Sequence, residues 1–247
     1  MPDTEEVAKA IAEASKFGTK SVEETGKILS FLAKVFNESI EQATGIVSDK
    51  LKFLRWQRQI RMVDQVEQIL TQRNVSEGRT IPPKFALPML ENASLEEDDE
   101  LQDMWIRLMA NAMDPNFKAS FKMAYIEIIK GLTPLDVKIL DFFYNQLIAD
   151  GIERGNFIRH SYTQNRICDA LNISREEYLD SIYNLFRVEC LAPAIVKGGI
   201  MMGREPLTIF KGADEVSMTP LGKNLIEVCI KKDGEIISHN TLCGMRN

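Results

Sequence analysis

The chain has 247 residues, which is enough for one large domain or two smaller ones. Hydrophobic residues make up 45% and charged residues 27%, a mixture typical of globular proteins that bury a core. The formal net charge of −6 argues against a surface that coats nucleic acid along its whole length.

The start of the chain predicts long helices. No proline lies between Pro2 and Pro82, and residues 3–73 have a helical pattern with few interruptions. One apolar stripe recurs at steps of three and four residues, through Leu29, Leu32, Phe36, Ile40, Ala43, Val47, Leu51 and Leu54. Such a stripe is typical of a helical hairpin, or of a helix packed against copies of itself.

Within that region, the segment 27–36 is the most strongly amphipathic. Lysines stand on its polar edge, and its other side carries Ile28, Leu29, Phe31, Leu32, Val35 and Phe36. This pattern fits a helix that lies in a membrane interface, or several copies that assemble into a helical channel. The alternative is a helix of the core or of a subunit contact.

A run of positive charge follows, without an acidic residue between positions 50 and 62. It comprises Lys50, Lys52, Arg55, Arg58 and Arg61, with Phe53 and Trp56 interleaved. These side chains are candidates for binding an anionic partner, either lipid or nucleic acid, through its phosphates. The alternative is a solvated face that pairs with the acidic residues at 96–103.

The middle of the chain predicts shorter helices. Residues 74–83 form a linker, because glycine and paired prolines cannot continue a helix. A helix is expected at 84–91, and the next begins at Ser94, whose capping box pairs it with Glu97. That helix ends near Met113, and Trp105, with the apolar residues around it, forms its buried face. A further helix is expected at 119–131.

From Thr133 onward the order of elements predicts a winged-helix-like module. Helices are expected from Thr133-Pro134 to 149, after Thr163, and from the Ser174–Glu177 capping box to 191. Short strands are expected at 194–196, 207–210 and 216–218, and a last helix from Thr219-Pro220 to 230. Three helices, a β-hairpin and a final helix are the order of a winged helix.

No catalytic or metal-binding centre is predicted. The only histidines are His160 and His239, and no CxxC pair, Gly-x-Ser-x-Gly motif or phosphate loop occurs. We expect the cysteines to be free thiols in a reducing cytosol, and we expect no cofactor. The acidic amino terminus is unlike a signal peptide, which predicts a cytoplasmic location with the inner membrane surface as a further candidate.

The expected recognition helix of the module, residues 175–191, is net negative. DNA-reading helices present positive charge, so this module is interpreted as a packing, dimerisation or sensing element. A DNA-binding transcriptional regulator remains the alternative, and an uncharacterised enzyme is a third hypothesis.

Three blocks of sequence resemble the abortive-infection alpha family of bacterial phage-resistance proteins. The blocks are residues 48–59, residues 93–112 and residues 125–136. The second block carries acidic residues together with Trp105 and Ala110-Asn111-Ala112. The resemblance implies a role in defence against phage, by stopping or killing the infected cell. It supplies no catalytic residue.

Together these observations predict a mainly α protein of four parts. They are long amphipathic helices (1–75), a helical middle region (76–132), the winged-helix-like module (133–232) and a tail (233–247). We expect a non-enzymatic defence protein that forms a helical homo-oligomer. The inner membrane is a candidate site of action, and a partner defence protein is a further candidate partner.

Overall fold

A computed structural model describes residues 22–36, 56–118, 121–152, 156, 159–197, 208–210 and 212–229. The described part of the chain is mainly helical, and its few strands lie toward the carboxyl end. It falls into two compact units: the second spans Glu127–Val228, and the first comprises the chain up to Ile126 together with the residues from Cys229 onward. The mainly α prediction is confirmed, whereas the four-part division at 75, 132 and 232 stays a prediction.

The first unit is a group of packed helices. They are α1 (Val22–Phe36), α2 (Trp56–Gln72), α3 (Pro83–Leu95), α4 (Asp99–Met113) and the start of α5 (Met123–Lys130). Helix α4 packs on both α2 and α3, and α1 packs on α2 and α3. Trp105 and most other side chains of α4 are buried all round the helix, so α4 is the centre of this core. The predicted helix at 3–73 is confirmed where it is described, and residues 3–21 and 37–55 lie outside the described residues.

The predicted capping box at Ser94 is wrong. Helix α3 continues through Ser94, which is buried, and the Ser94 hydroxyl donates to the Glu91 carbonyl at 2.8 Å. The cap of α4 is Asp98, whose carboxylate accepts from the backbone N–H groups of Glu100 and Leu101, both at 3.0 Å. Burial of the last turn of α3 extends that helix past its predicted end at residue 91, and this moves the next helix start four residues along.

The second unit combines helices with a small sheet. It contains α6 (Pro134–Ala149), α7 (Gln164–Leu171), α8 (Arg175–Arg187) and most of α9 (Pro220–Cys229). The strands are β1 (Ser161–Thr163), β2 (Leu191–Pro193), β3 (Ile195–Lys197), β4 (Thr208–Phe210) and β5 (Glu215–Met218). One antiparallel sheet has the order β1-β5-β2, and β3 pairs with β4 as the predicted hairpin. Strands β1 and β2 are absent from the elements that the sequence predicts.

The predicted helix starts in this unit are confirmed. Thr133 and Ser174 each form a capping box, with Asp136 and Glu177 respectively, and the Thr163 hydroxyl caps α7. Side chains that accept backbone N–H groups locally are readable from sequence, because cap and helix are neighbours in the chain.

The predicted end of α8 at residue 191 is wrong by one turn. Glu189 is left-handed, with φ of 58°, and the Cys190 N–H donates back to the Leu185 carbonyl at 2.9 Å. This is the geometry of a Schellman motif, which usually requires glycine at the left-handed position. Because this chain uses glutamate there, the sequence carries no signal for the end of the helix.

Gly222 in α9 is required by a close approach. A Cβ atom on Gly222 would collide with the Cys190 carbonyl oxygen, which also accepts from the Thr219 N–H at 3.0 Å. The helix start therefore sits directly on the chain segment that leads into β2.

Candidate functional site

Six apolar side chains of α1, predicted to serve membrane binding or self-association, are buried in the first unit. Their exposed fractions range from 0 to 8%, for Ile28, Leu29, Phe31, Leu32, Val35 and Phe36. Helices α2 and α3 cover this face, and the Val35 carbonyl accepts from the Ile81 N–H at 3.0 Å. In the described arrangement this helix is part of the core, which was the alternative interpretation of the segment.

Two ion pairs connect the polar edge of α1 to α2. The Lys27 ammonium contacts the Asp64 carboxylate, and the Lys34 ammonium lies 3.1 Å from the Glu67 carboxylate. These four side chains are partly exposed, so each pair contributes only about 0–1 kcal/mol. Sequence reasoning missed Asp64 and Glu67, since partners on different helices leave no spacing signal in the chain.

The predicted anion-binding residues are only partly described. Lys50, Lys52 and Arg55 lie outside the described residues, and Arg58 lies in α2 where its side chain is not described. The Arg61 guanidinium pairs with the Asp99 carboxylate at 2.6 Å. One member of the set thus contacts the acidic start of α4, as the solvated-face alternative expects. Binding of lipid or nucleic acid by this set stays a prediction.

The second unit has a buried polar cluster centred on Asp136. Its carboxylate accepts from the Thr133 N–H at 2.6 Å, from the Asn184 amide at 2.7 Å, and from the Ser181 hydroxyl. The Asn184 amide also donates to the Gly131 carbonyl at 2.8 Å. Asp136 itself is fully buried, so this cluster joins the start of α6 to α8 without exposing charge to water.

A second polar cluster lies where α6 ends. The Tyr162 hydroxyl donates to the Asp150 carboxylate at 2.9 Å, and the Gln146 amide donates to the same carboxylate at 2.8 Å. The Arg166 guanidinium lies 4.7 Å from the centre of the Tyr162 ring. The hydrogen bond from Tyr162 is the main cause that lowers the pKa of Asp150, while burial is the main cause that raises the pKa of Tyr162. Together these contacts connect α6 to β1 and α7.

Two of the described thiols, Cys168 and Cys190, have raised pKa values that favour their protonated form. Burial raises the pKa of Cys190 to about 12, with a smaller contribution from the charge of Asp136. Burial also raises the pKa of Cys168. A protonated thiol is a weak nucleophile, so neither group is prepared for covalent catalysis at neutral pH. Across the described residues, no three histidine, cysteine, aspartate or glutamate side chains are grouped as a metal site needs.

Helix α8, the expected recognition helix, presents an acidic outer surface. Glu176, Glu177 and Asp180 are exposed there, and Tyr183 is 61% exposed. The sign of this charge opposes contact with DNA phosphates.

These elements define a mainly helical protein with a small antiparallel sheet in its carboxyl-terminal half. Among the helices that the structure describes, none combines the length and apolar character that crossing a bilayer requires.

The chain belongs to the abortive infection alpha family, whose family model matches residues 57–229. The resemblance in the blocks at 93–112 and 125–136 is therefore confirmed, and the match also extends through the second unit. Most of the block at 48–59 lies before the matched region. No curated protein and no solved structure matches the chain, so the winged-helix interpretation stays a prediction.

Proposed function

We propose that this protein is a phage-defence protein of the abortive-infection type that acts without catalysis. The family match over residues 57–229 carries the proposal. The raised pKa values of Cys168 and Cys190 support a non-catalytic action, since a protonated thiol is a weak nucleophile.

We further propose that the protein acts as a homo-oligomer at the inner membrane, from a cytoplasmic pool, and that α1 is the part that changes partners. Six buried apolar side chains contribute on the order of 10 kcal/mol to the docking of α1 before the cost of ordering the helix, taking about 1.5–3 kcal/mol for each. The conformational entropy lost on ordering the helix offsets most of this, which leaves a net docking free energy of about a few kcal/mol. Docking of this strength keeps the helix covered in the resting protein. Release would then require a trigger during infection, such as a phage component or a partner defence protein.

Once released, the apolar face of α1 needs a new covering. A second copy of the helix provides one, and the interface of a lipid bilayer provides another. The lysines Lys27 and Lys34 would lose their partners on α2 and face anionic lipid headgroups instead. The basic residues at 50–61 supply further positive charge close by in the sequence.

Phage challenge tests the defence function. At low phage multiplicity, cells that express the chain should survive infection better than cells that carry an empty vector. At high multiplicity, the infected cells that express the chain should lose viability or stop growing. Equal plaque counts and equal growth in both strains, over a panel of phages, would contradict the proposal.

Variants of the α1–α2 ion pairs test the mechanism separately. Glu67→Lys places a positive charge against Lys34 and should weaken the docking of α1, whereas the reversed pair Lys34→Glu/Glu67→Lys should restore it. An exposed pair contributes about 0–1 kcal/mol, so vesicle binding should rise up to about fivefold in Glu67→Lys. In the double variant, vesicle binding should return to the level of the unsubstituted protein. Glu127→Lys, which disrupts an exposed pair with Lys130, is the matched control.

The readouts are co-sedimentation with vesicles that contain anionic lipid, leakage of an enclosed dye, and sedimentation velocity. The mechanism is contradicted by a protein that stays monomeric and binds no vesicle in any variant. If such a protein still protects cells against phage, the proposed defence function is retained and the proposed membrane mechanism is contradicted.

A further inference from the structure

A cavity of about 330 Å³ lies in the first unit, between α3, α4 and the start of α5. Its floor is apolar and well buried, and is formed by Ile81, Met89, Leu108, Ala112 and Ile126. The volume falls at the lower end of the range of pockets that bind small molecules. An apolar space of this size favours the aliphatic part of a ligand.

The rim of the cavity is positively charged. Arg79 and Lys122 both line it and are both exposed, and no carboxylate lies among the lining side chains that the structure describes. The aromatic rings of Phe85 and Phe121 complete the walls. The cavity therefore combines an apolar interior with a cationic entrance.

The two cations have different roles. The Arg79 guanidinium donates to the Ala112 carbonyl at 2.6 Å and to the Asn111 carbonyl at 3.3 Å, and it lies 5.5 Å from the centre of the Phe121 ring. Its charge is thus partly balanced by the carbonyl end of α4. Among the described contacts, none joins the Lys122 ammonium to the end of α4, so we expect Lys122 to provide the stronger attraction for an anion.

We propose that this cavity binds a single-chain amphiphile with an anionic head, of the fatty-acid class. The aliphatic chain would occupy the space over Leu108 and Met89, and the carboxylate would lie at Lys122. Charge complementarity at the rim distinguishes this ligand from a neutral or cationic amphiphile with the same chain. Binding here would stabilise the packing of α3 on α4, and this inference does not depend on the proposed defence function.

Calorimetric titration of the full chain tests the site, with dodecanoate as the probe and kept below its micelle concentration. Dodecanol and dodecyltrimethylammonium provide the neutral and cationic comparisons. We expect saturable binding of dodecanoate near one molecule per chain, weaker binding of dodecanol and the weakest binding of the cation. Lys122→Gln should weaken dodecanoate about three- to tenfold and leave dodecanol unchanged. Lys138→Gln, an exposed lysine in the second unit, is the control and should change neither.

Ala112→Leu adds volume to the floor of the cavity and should abolish binding of all three probes. Circular dichroism would show whether that variant is folded, and Lys122→Gln tests the site independently of it. The proposal is overturned if dodecanoate does not bind below its micelle concentration. The same result is expected if another segment of the chain occupies the cavity. It is equally overturned if the cation binds as tightly as the carboxylate, or if Lys122→Gln has no effect.

Discussion

Replacing Asp136 should distinguish a local helix cap from a tertiary connection. In Asp136→Ala, the Thr133 hydroxyl still caps α6, but the Thr133 N–H loses the carboxylate that accepts from it. The Ser181 hydroxyl and one N–H of the Asn184 amide lose the same acceptor, while the Asn184 amide keeps its hydrogen bond to the Gly131 carbonyl. Loss of the capping-box hydrogen bond from the Thr133 N–H costs about 0.5–1.5 kcal/mol, and each of the other two donors left without its acceptor costs about 1–3 kcal/mol. Removal of a buried charge returns part of this, so we expect a net loss of about 3 kcal/mol in the free energy of unfolding.

Asp136→Asn should be much milder. The side-chain oxygen of the new asparagine still accepts from the Thr133 N–H and from the Asn184 amide. Its NH₂ group faces Ser181, whose hydroxyl can rotate to accept a hydrogen bond from it. We expect a loss of about 1 kcal/mol. Adding Ser181→Ala to this variant removes the new acceptor, so the double variant should lose about 1–3 kcal/mol more.

Urea denaturation followed by circular dichroism gives the free energies, and hydrogen exchange of residues 127–228 locates the effect in the second unit. Asp169→Asn, an exposed aspartate on α7, is the control and should change stability by less than about 0.5 kcal/mol. Equal losses for the alanine and asparagine variants of Asp136 would refute the reasoning. So would a loss below about 1 kcal/mol for Asp136→Ala.

Three further predictions concern other parts of the chain. Asp98→Ala should cost about 1 kcal/mol in urea denaturation because it removes the cap of α4, whereas Ser94→Ala should be close to neutral. The side chain of Asp114 is only 2% exposed, and Arg73→Met leaves its carboxylate without its guanidinium partner. This substitution should lower the free energy of unfolding by about 3–5 kcal/mol, and the double variant Arg73→Met/Asp114→Asn should recover part of that loss. Alkylation of Cys190 at pH 7.5, measured by mass spectrometry, should be at least about 1000-fold slower in the native protein than in urea, because its native pKa is about 12.

Each of these has a result that contradicts it. A larger loss for Ser94→Ala than for Asp98→Ala would reinstate the cap predicted from sequence. Strictly additive losses at Arg73 and Asp114 would mean that the two side chains do not interact. Rapid native alkylation of Cys190 would show that its segment opens readily.

The sequence by itself determined the helical class of this protein and most helix starts. Thr133, Thr163 and Ser174 could be identified as caps because each lies within three residues of the N–H group it accepts from. The family blocks around Trp105 and Asp136 were also readable, since they are patterns of residue type along the chain.

Only the tertiary structure decided which of these local signals prevailed. Ser94 has the pattern of a cap, but packing of α3 extended that helix through it, and Asp98 became the cap instead. The same holds for function. The apolar stripe of α1 reads equally as a membrane face or a core face, and contact with α2 and α3 covers it in the described arrangement. Local hydrogen bonds depend on neighbours in sequence, whereas burial depends on residues that only folding brings together.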